Sequence, residues 1–200
     1  MTPCRQLLQQ VCIRFLTALL ALASASSINA QEAHSQYEVK AAYLYRFASY
    51  VEWPEAPALS DPLVIGVMDS PDMLRELRKL QTGHLIGQRA VQVQEVHRMQ
   101  ELGAARILYV AAGHDDFLGA LSSHGTTSLL TVTDEEEGLA LGGVVNFVMV
   151  DNRVRFEVSL TAAERAQLRV SSDLLAVAIR VHGNRATGVD ASSTPIPMVR

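Results

Sequence analysis

Both cysteines of this 200-residue chain, Cys4 and Cys12, lie within its first 12 residues. Beyond residue 30 there is no thiol. The body of the protein therefore has no disulfide, no thiolate nucleophile and no cysteine-based metal site. After residue 30 no apolar run approaches membrane-spanning length. The chain contains no G-x-S-x-G elbow, no Walker lysine loop and no H-E-x-x-H pair, so the common signatures of hydrolases, nucleotide-binding enzymes and zinc proteases are missing. The glycine cluster GLALGG (138–143) is not a G-x-G-x-x-G fingerprint. It also precedes a strand, whereas a dinucleotide loop precedes a helix; it reads as a turn. The six histidines (34, 84, 97, 114, 124 and 182) form no i,i+2 or i,i+4 pair, so no metal ligand and no cofactor is assigned.

Positive charge is also short. Lys and Arg total 17 against 21 Asp and Glu, a formal net charge of −4. Arg5 and Arg14 are the only charges in residues 1–30, so losing that segment takes the net charge to −6. Such a balance argues against nucleic acid or an anionic membrane surface as partner.

The first 30 residues have an order of their own. A basic start leads into FLTALLALASA (15–25), an apolar run of 11 residues, and then SSINA. This is the pattern of a secretory signal peptide cleaved after Ala30. The run is too short for a bilayer core of ~30 Å, which takes ~20 helical residues. The expected organisation is a signal peptide (1–30), a single α/β domain (31–182) and a disordered tail (183–200), rich in Gly, Ser and Thr and without periodicity. After cleavage the protein is expected in the periplasm with no membrane insertion.

Along the domain, buried-type strands alternate with helical patterns. PLVIGVMD (62–69), RILYVA (106–111) and SLLTVTD (128–134) read as strands; VQVQEV (91–96) reads as a half-buried or edge strand. Ser70-Pro71-Asp72 opens a helix, His114-Asp115-Asp116 another, and HRMQELG a short one. The end breaks the alternation. VVNFVMV-DN-RVRFEVSL (144–160) reads as a hairpin with a two-residue turn. Thr161 with Glu164 forms a capping box, and Ser171 or Ser172 opens a last helix running to about Val181. The pattern predicts a three-layer α/β fold: a largely parallel sheet with a C-terminal antiparallel hairpin and helices on both faces.

Three features invite a functional reading. The first helix, about Tyr37 to Glu52, is apolar over roughly 200° of arc, whereas covering one sheet face takes little more than ~100°. Its second face is expected to meet the last helix or a second subunit, with Lys40 snorkelling to the rim. Asp134-Glu135-Glu136-Glu137 follows a strand end; it suits either a hard cation or the solvated first turn of a short helix. In the hairpin, Arg155 and Glu157 share a strand face, within reach of each other or of Asn146.

The stretches YEVKAAYLYRFASYVEWP, LVIGVMDSPDMLRELRKL, SLLTVTD and GGVVNFVMVDNRVRFEVSLTAAERAQLRVSSDLLAVA resemble, in this order, the YfiR/HmsC-like family of periplasmic proteins over about residues 36–182. The resemblance implies an α/β regulator, not an enzyme. Such a regulator binds and represses the periplasmic sensor domain of an inner-membrane diguanylate cyclase, lowering cyclic di-GMP and biofilm formation, and tends to form a homodimer. Carried over to this chain, Tyr43, Phe47, Tyr50 and Trp53 are candidate core or dimer contacts. Phe147, Arg155 and Glu157 are candidate partner-binding residues, a charged pair beside an exposed aromatic. Well-known members carry cysteines in the mature domain; this chain has none there, so redox sensing is not carried over. The alternative is a periplasmic small-ligand sensor acting on another membrane signalling partner, with its pocket near Asp69, His114 and Asp134. A metal-dependent hydrolase using the 134–137 acids is the third reading.

Overall fold

The computed structural model describes residues 36–54, 61–82 and 85–183. The expected signal peptide and all but the first residue of the expected tail lie outside the described residues. Within them the chain builds an eight-stranded sheet in the order β10-β8-β7-β6-β5-β2-β4-β3, with a separate two-stranded ribbon β1-β9. The strands are β1 (Val51–Glu52), β2 (Leu63–Met68), β3 (Leu85–Ile86), β4 (Arg89–Val96), β5 (Ala105–Val110), β6 (Leu130–Thr133), β7 (Val145–Val150), β8 (Arg153–Ser159), β9 (Arg169–Val170) and β10 (Arg180–His182). The helices are α1 (residues 36–50), α2 (Pro71–Gln81), α3 (Asp115–Ser123), α4 (Leu160–Arg165) and α5 (Ser172–Val177), with one 3₁₀ turn at Met99–Glu101. Strands β4, β2, β5, β6 and β7 are mutually parallel, and β8 returns antiparallel to β7.

Helices lie on both faces, as the pattern predicted. One face carries the larger core: Ile65, Val67, Ile107, Tyr109, Val132 and Phe147 from the sheet, met by Leu44 and Phe47 of α1 and by Met73 and Leu77 of α2. On the other face Met68, Leu108 and Val110 meet Leu118 and Leu121 of α3. Because both strands are covered on both sides, β2 is apolar throughout and β5 is apolar from Ile107 to Val110. Asp151 and Asn152 both take positive φ (49° and 57°), the backbone that a two-residue hairpin turn demands.

Four local expectations are corrected. The segment 171–181 is not one helix. Its helix ends at Val177, Ala178 turns extended (ψ 140°), and residues 180–182 join the sheet beside β8. Val177, Ile179 and Val181 recur at spacing two, a strand period that the helical reading overlooked. Ser159, not Thr161, caps α4, its hydroxyl accepting from Ala162 N–H at 3.1 Å. The segment HRMQELG forms only the 3₁₀ turn. Lys40 does not snorkel; it is 7 % exposed and holds an internal carboxylate.

The broad apolar arc of α1 has a simple resolution. Ala41, Leu44 and Phe47 form one buried stripe, continued by Val51. Tyr37, Tyr43, Tyr45, Ala48 and Tyr50 flank it, half-buried against the same core. Glu52 is not helical: Val51 and Glu52 pair antiparallel with Val170 and Arg169, and Tyr50 C=O accepts from Ser171 N–H at 2.9 Å. The carboxyl end of α1 is thus tied by backbone to the segment between α4 and α5.

Candidate functional site

The parallel strands bring their carboxyl ends to one edge of the sheet. β2 lies between β4 and β5; the chain leaves β2 through α2 on one face and leaves β5 through α3 on the other. Between the ends of β2 and β5 the topology reverses direction, the place where open α/β sheets form a crevice. Asp69, directly after β2, occupies that point with φ 47°, a left-handed conformation that Asp tolerates better than most residues. Its two carboxylate oxygens face two histidines: His114 Nε2 at 2.9 Å from Oδ2 and His97 Nδ1 at 3.3 Å from Oδ1. His114 Nδ1 is 3.1 Å from Ala111 C=O, so the ring is fixed at both nitrogens. Of the residues named for a ligand pocket, the structure joins Asp69 and His114 directly.

One strand further on, Asp134 follows β6 and works as a clasp. Its Oδ2 accepts from Lys40 Nζ and from Tyr109 O–H, both at 2.6 Å, and its Oδ1 accepts from Ala112 N–H at 2.9 Å. The Lys40 ammonium also sits 5.1 Å from the centre of the Tyr37 ring, an attractive placement for a cation. Burial, followed by the Asp134 charge and its hydrogen bond, pushes the Tyr109 phenol far above its ordinary value, which keeps it a donor. The same two causes, burial and then Asp134, raise Tyr37. One carboxylate therefore joins α1, β5, β6 and the loop before α3.

The remaining acids do not form a helix; residues 136–140 are turns. Glu135 accepts from Gly113 N–H at 2.6 Å and from Glu136 N–H at 3.1 Å, and these backbone bonds hold its carboxyl below the usual range. Asp115 is pushed the other way, by desolvation first and then by the Glu135 charge. Among the described residues no group of three His, Cys, Asp or Glu side chains has metal-binding geometry. The glycine cluster is the turn expected of it. A Cβ at Gly138 would collide with Thr133 and Asn146, and Gly142 takes φ 105°.

The hairpin residues part company. Phe147 is 3 % exposed and belongs to the core, so it is not the exposed aromatic that the sequence suggested. Its ring lies 5.9 Å from Phe47 and 6.1 Å from Tyr43, and Phe156 completes the cluster at 5.0 Å from Phe47 and 5.4 Å from Tyr43. The alternation Val145, Phe147, Met149 already placed Phe147 with a core-facing valine. Tyr50 and Trp53 are half-buried, and the Trp53 indole N–H has no partner among the described residues. Arg155 and Glu157 stay on the opposite face, both half-buried. Glu157 pairs with β10: Arg180 Nη1 at 2.8 Å and His182 Nε2 at 3.3 Å from its two oxygens. Sequence reading missed that partnership because it placed 180 and 182 in or beyond a helix.

Among the described residues no helix is long and apolar enough to cross a membrane. No curated protein matches the chain significantly. A family match does extend from residue 37 to residue 179, taking in nearly every element from α1 to α5. The family is described as YfiR/HmsC-like, and its members are periplasmic regulators of diguanylate cyclase signalling rather than enzymes. The two segments that carry the resemblance most specifically, the first helix and the hairpin, pack together through Tyr43, Phe47, Phe147 and Phe156. On the extent of that match, this chain belongs to the YfiR/HmsC-like family.

Proposed function

We propose that this protein is a periplasmic, non-enzymatic regulator. It binds and represses the periplasmic sensor domain of an inner-membrane diguanylate cyclase, lowering cyclic di-GMP and biofilm formation. The family match over residues 37–179 carries this reading. The local chemistry supports it. The strongest polar groups at the strand ends are spent on one another: Lys40 and Tyr109 on Asp134, His114 and His97 on Asp69. Arg155, with Glu157 beside it, is the docking candidate; Phe147 supports that face from the core without reaching the surface.

The test is the cyclic di-GMP level of the source bacterium with and without this gene. A rise on deletion, reversed by a periplasm-targeted copy, is expected; an unchanged level across growth conditions removes the repressor reading. The protein is proposed to act as a homodimer, which sedimentation of the purified mature chain would show directly.

The ligand-sensor reading keeps one specific observation, the Asp69–His114 contact in the crevice where the sheet changes direction. A small molecule that raises the melting temperature of the wild type and not of Asp69→Asn would favour it.

A further inference from the structure

The ring of His114 meets an acceptor at each nitrogen. Nδ1 lies 3.1 Å from Ala111 C=O, and Nε2 lies 2.9 Å from Asp69 Oδ2. His97 repeats the arrangement: Nδ1 is 3.3 Å from Asp69 Oδ1, and Nε2 is 3.8 Å from Glu95 Oε1. A neutral imidazole carries one N–H, so its other nitrogen presents a lone pair. Against a carbonyl or carboxylate oxygen that lone pair repels. An imidazolium has two N–H groups and suits both neighbours. Each ring therefore makes both of its contacts attractive only with the second proton in place.

The two rings come from different loops. His97 directly follows β4, His114 directly precedes α3, and Asp69 directly follows β2. One carboxylate thus joins the loops that leave β4 and β5, the two neighbours of β2 in the sheet. The charges set around the rings are mostly acids: Glu95 on β4, Glu101 on the 3₁₀ turn, Asp115 and Asp116 at the start of α3, and Glu135, which accepts from Gly113 N–H beside His114. Arg98 is engaged by Glu101 at 2.6 Å and, on α2, Asp72 by Arg75 at 2.7 Å. One strand further on, Lys40 and Asp134 form their own pair. Loss of the ring protons leaves acids facing acids across the crevice.

We propose that Asp69, His97 and His114 form a proton-operated latch across the crevice, closed while both rings are imidazolium and released as they are neutralised. The latch ties two loops at the place where open α/β sheets take ligands, so proton concentration sets how open that place is. The inference rests on neither reading of the function. Asp69 is 43 % and His97 56 % exposed, so solvent screens the contacts and the latch acts on the loops rather than on global stability. Amide exchange on the ¹⁵N-labelled mature chain reads it. The N–H groups of Ala112 and Gly113, bonded to Asp134 and Glu135 just before His114, report the loop. Protection is compared at about pH 5.5 and about pH 8, either side of the ordinary histidine range, with each rate corrected for intrinsic exchange. Glu135 stays ionised throughout, since its carboxyl is held below the usual range. Protection of both amides should fall about two- to fivefold at the higher pH, the scale of a solvent-exposed ion pair. His114→Gln and Asp69→Asn should each remove that dependence; Asn tolerates the left-handed backbone of position 69. His124→Gln, at an exposed ring bonded to Ala120 C=O, should leave it intact. Undiminished protection of Ile107 and Tyr109 in the core shows that each variant is folded. Equal protection at the two pH values in the wild type overturns the latch. So does a pH response that survives both His114→Gln and Asp69→Asn, which assigns it to another group.

Discussion

The ammonium of Lys40 lies 2.6 Å from the Asp134 carboxylate across 94 positions of chain, and both side chains are nearly closed to solvent. Removing one member of such a pair strands the other in a poorly solvated place. Lys40→Met should therefore lower stability by about 3 kcal/mol. Lys40→Met with Asp134→Leu should cost less than the two single changes together, since the stranded charge goes with its partner. Denaturant midpoints decide this; an unchanged midpoint for Lys40→Met would show that the clasp contributes nothing.

The aromatic cluster joins α1 to the hairpin. Phe47→Ala should cost about 3–5 kcal/mol, because Phe47 is fully buried and its loss opens a cavity. A double-mutant cycle between Phe47 and Phe147, whose rings stack at 5.9 Å and 24°, should return a coupling of about 0.5–1.5 kcal/mol. Coupling within error of zero would mean that the helix and the hairpin are held independently.

Glu135 gives the stability curve an acid limb. Its folded-state carboxyl is held below the ordinary value by Gly113 and Glu136 N–H groups. The unfolded chain therefore binds the proton more readily, and the contribution is present above the unfolded value of about 4.3. It is lost as pH falls through the lower folded value. Glu135→Gln should flatten this part of the melting-temperature profile and leave the slope above pH 6 unchanged. A flattening confined to neutral pH would contradict the assignment.

Arg155→Glu should abolish binding of the cyclase sensor domain and move stability by no more than about 0.5 kcal/mol, since Arg155 lies outside the buried core. Loss of binding accompanied by a collapsed melting transition would point to misfolding and remove the residue from the docking surface.

Much of the architecture was legible because it rests on local patterns. Continuous apolar runs at 63–68 and 107–110 mark strands covered on both faces, and Asp151-Asn152 between alternating segments marks the hairpin. What escaped depends on distant partners or very short segments. β3 is two residues long and offers no period to detect. Lys40 looked like a snorkelling residue because its carboxylate lies 94 positions away. One signal could have exposed the clasp: Tyr109 alternates onto the same face as Ile107, so its hydroxyl had to find a buried partner. Phe147 was misplaced by giving weight to its neighbours Arg155 and Glu157 over its own strand period.

The ribbon between Val51–Glu52 and Arg169–Val170 has a consequence for the order of assembly. Several ties that seat α1 come from far along the chain: Asp134 at its start, Phe147 and Phe156 along its length, and Val170 and Ser171 at its end. Contacts of such sequence separation form late, because closing the intervening loops comes first. A chain delivered from its amino end thus presents this helix first and completes it last. Until residue 171 has arrived, Leu44 and Phe47 have no finished surface to cover, and the domain holds no closed core around them.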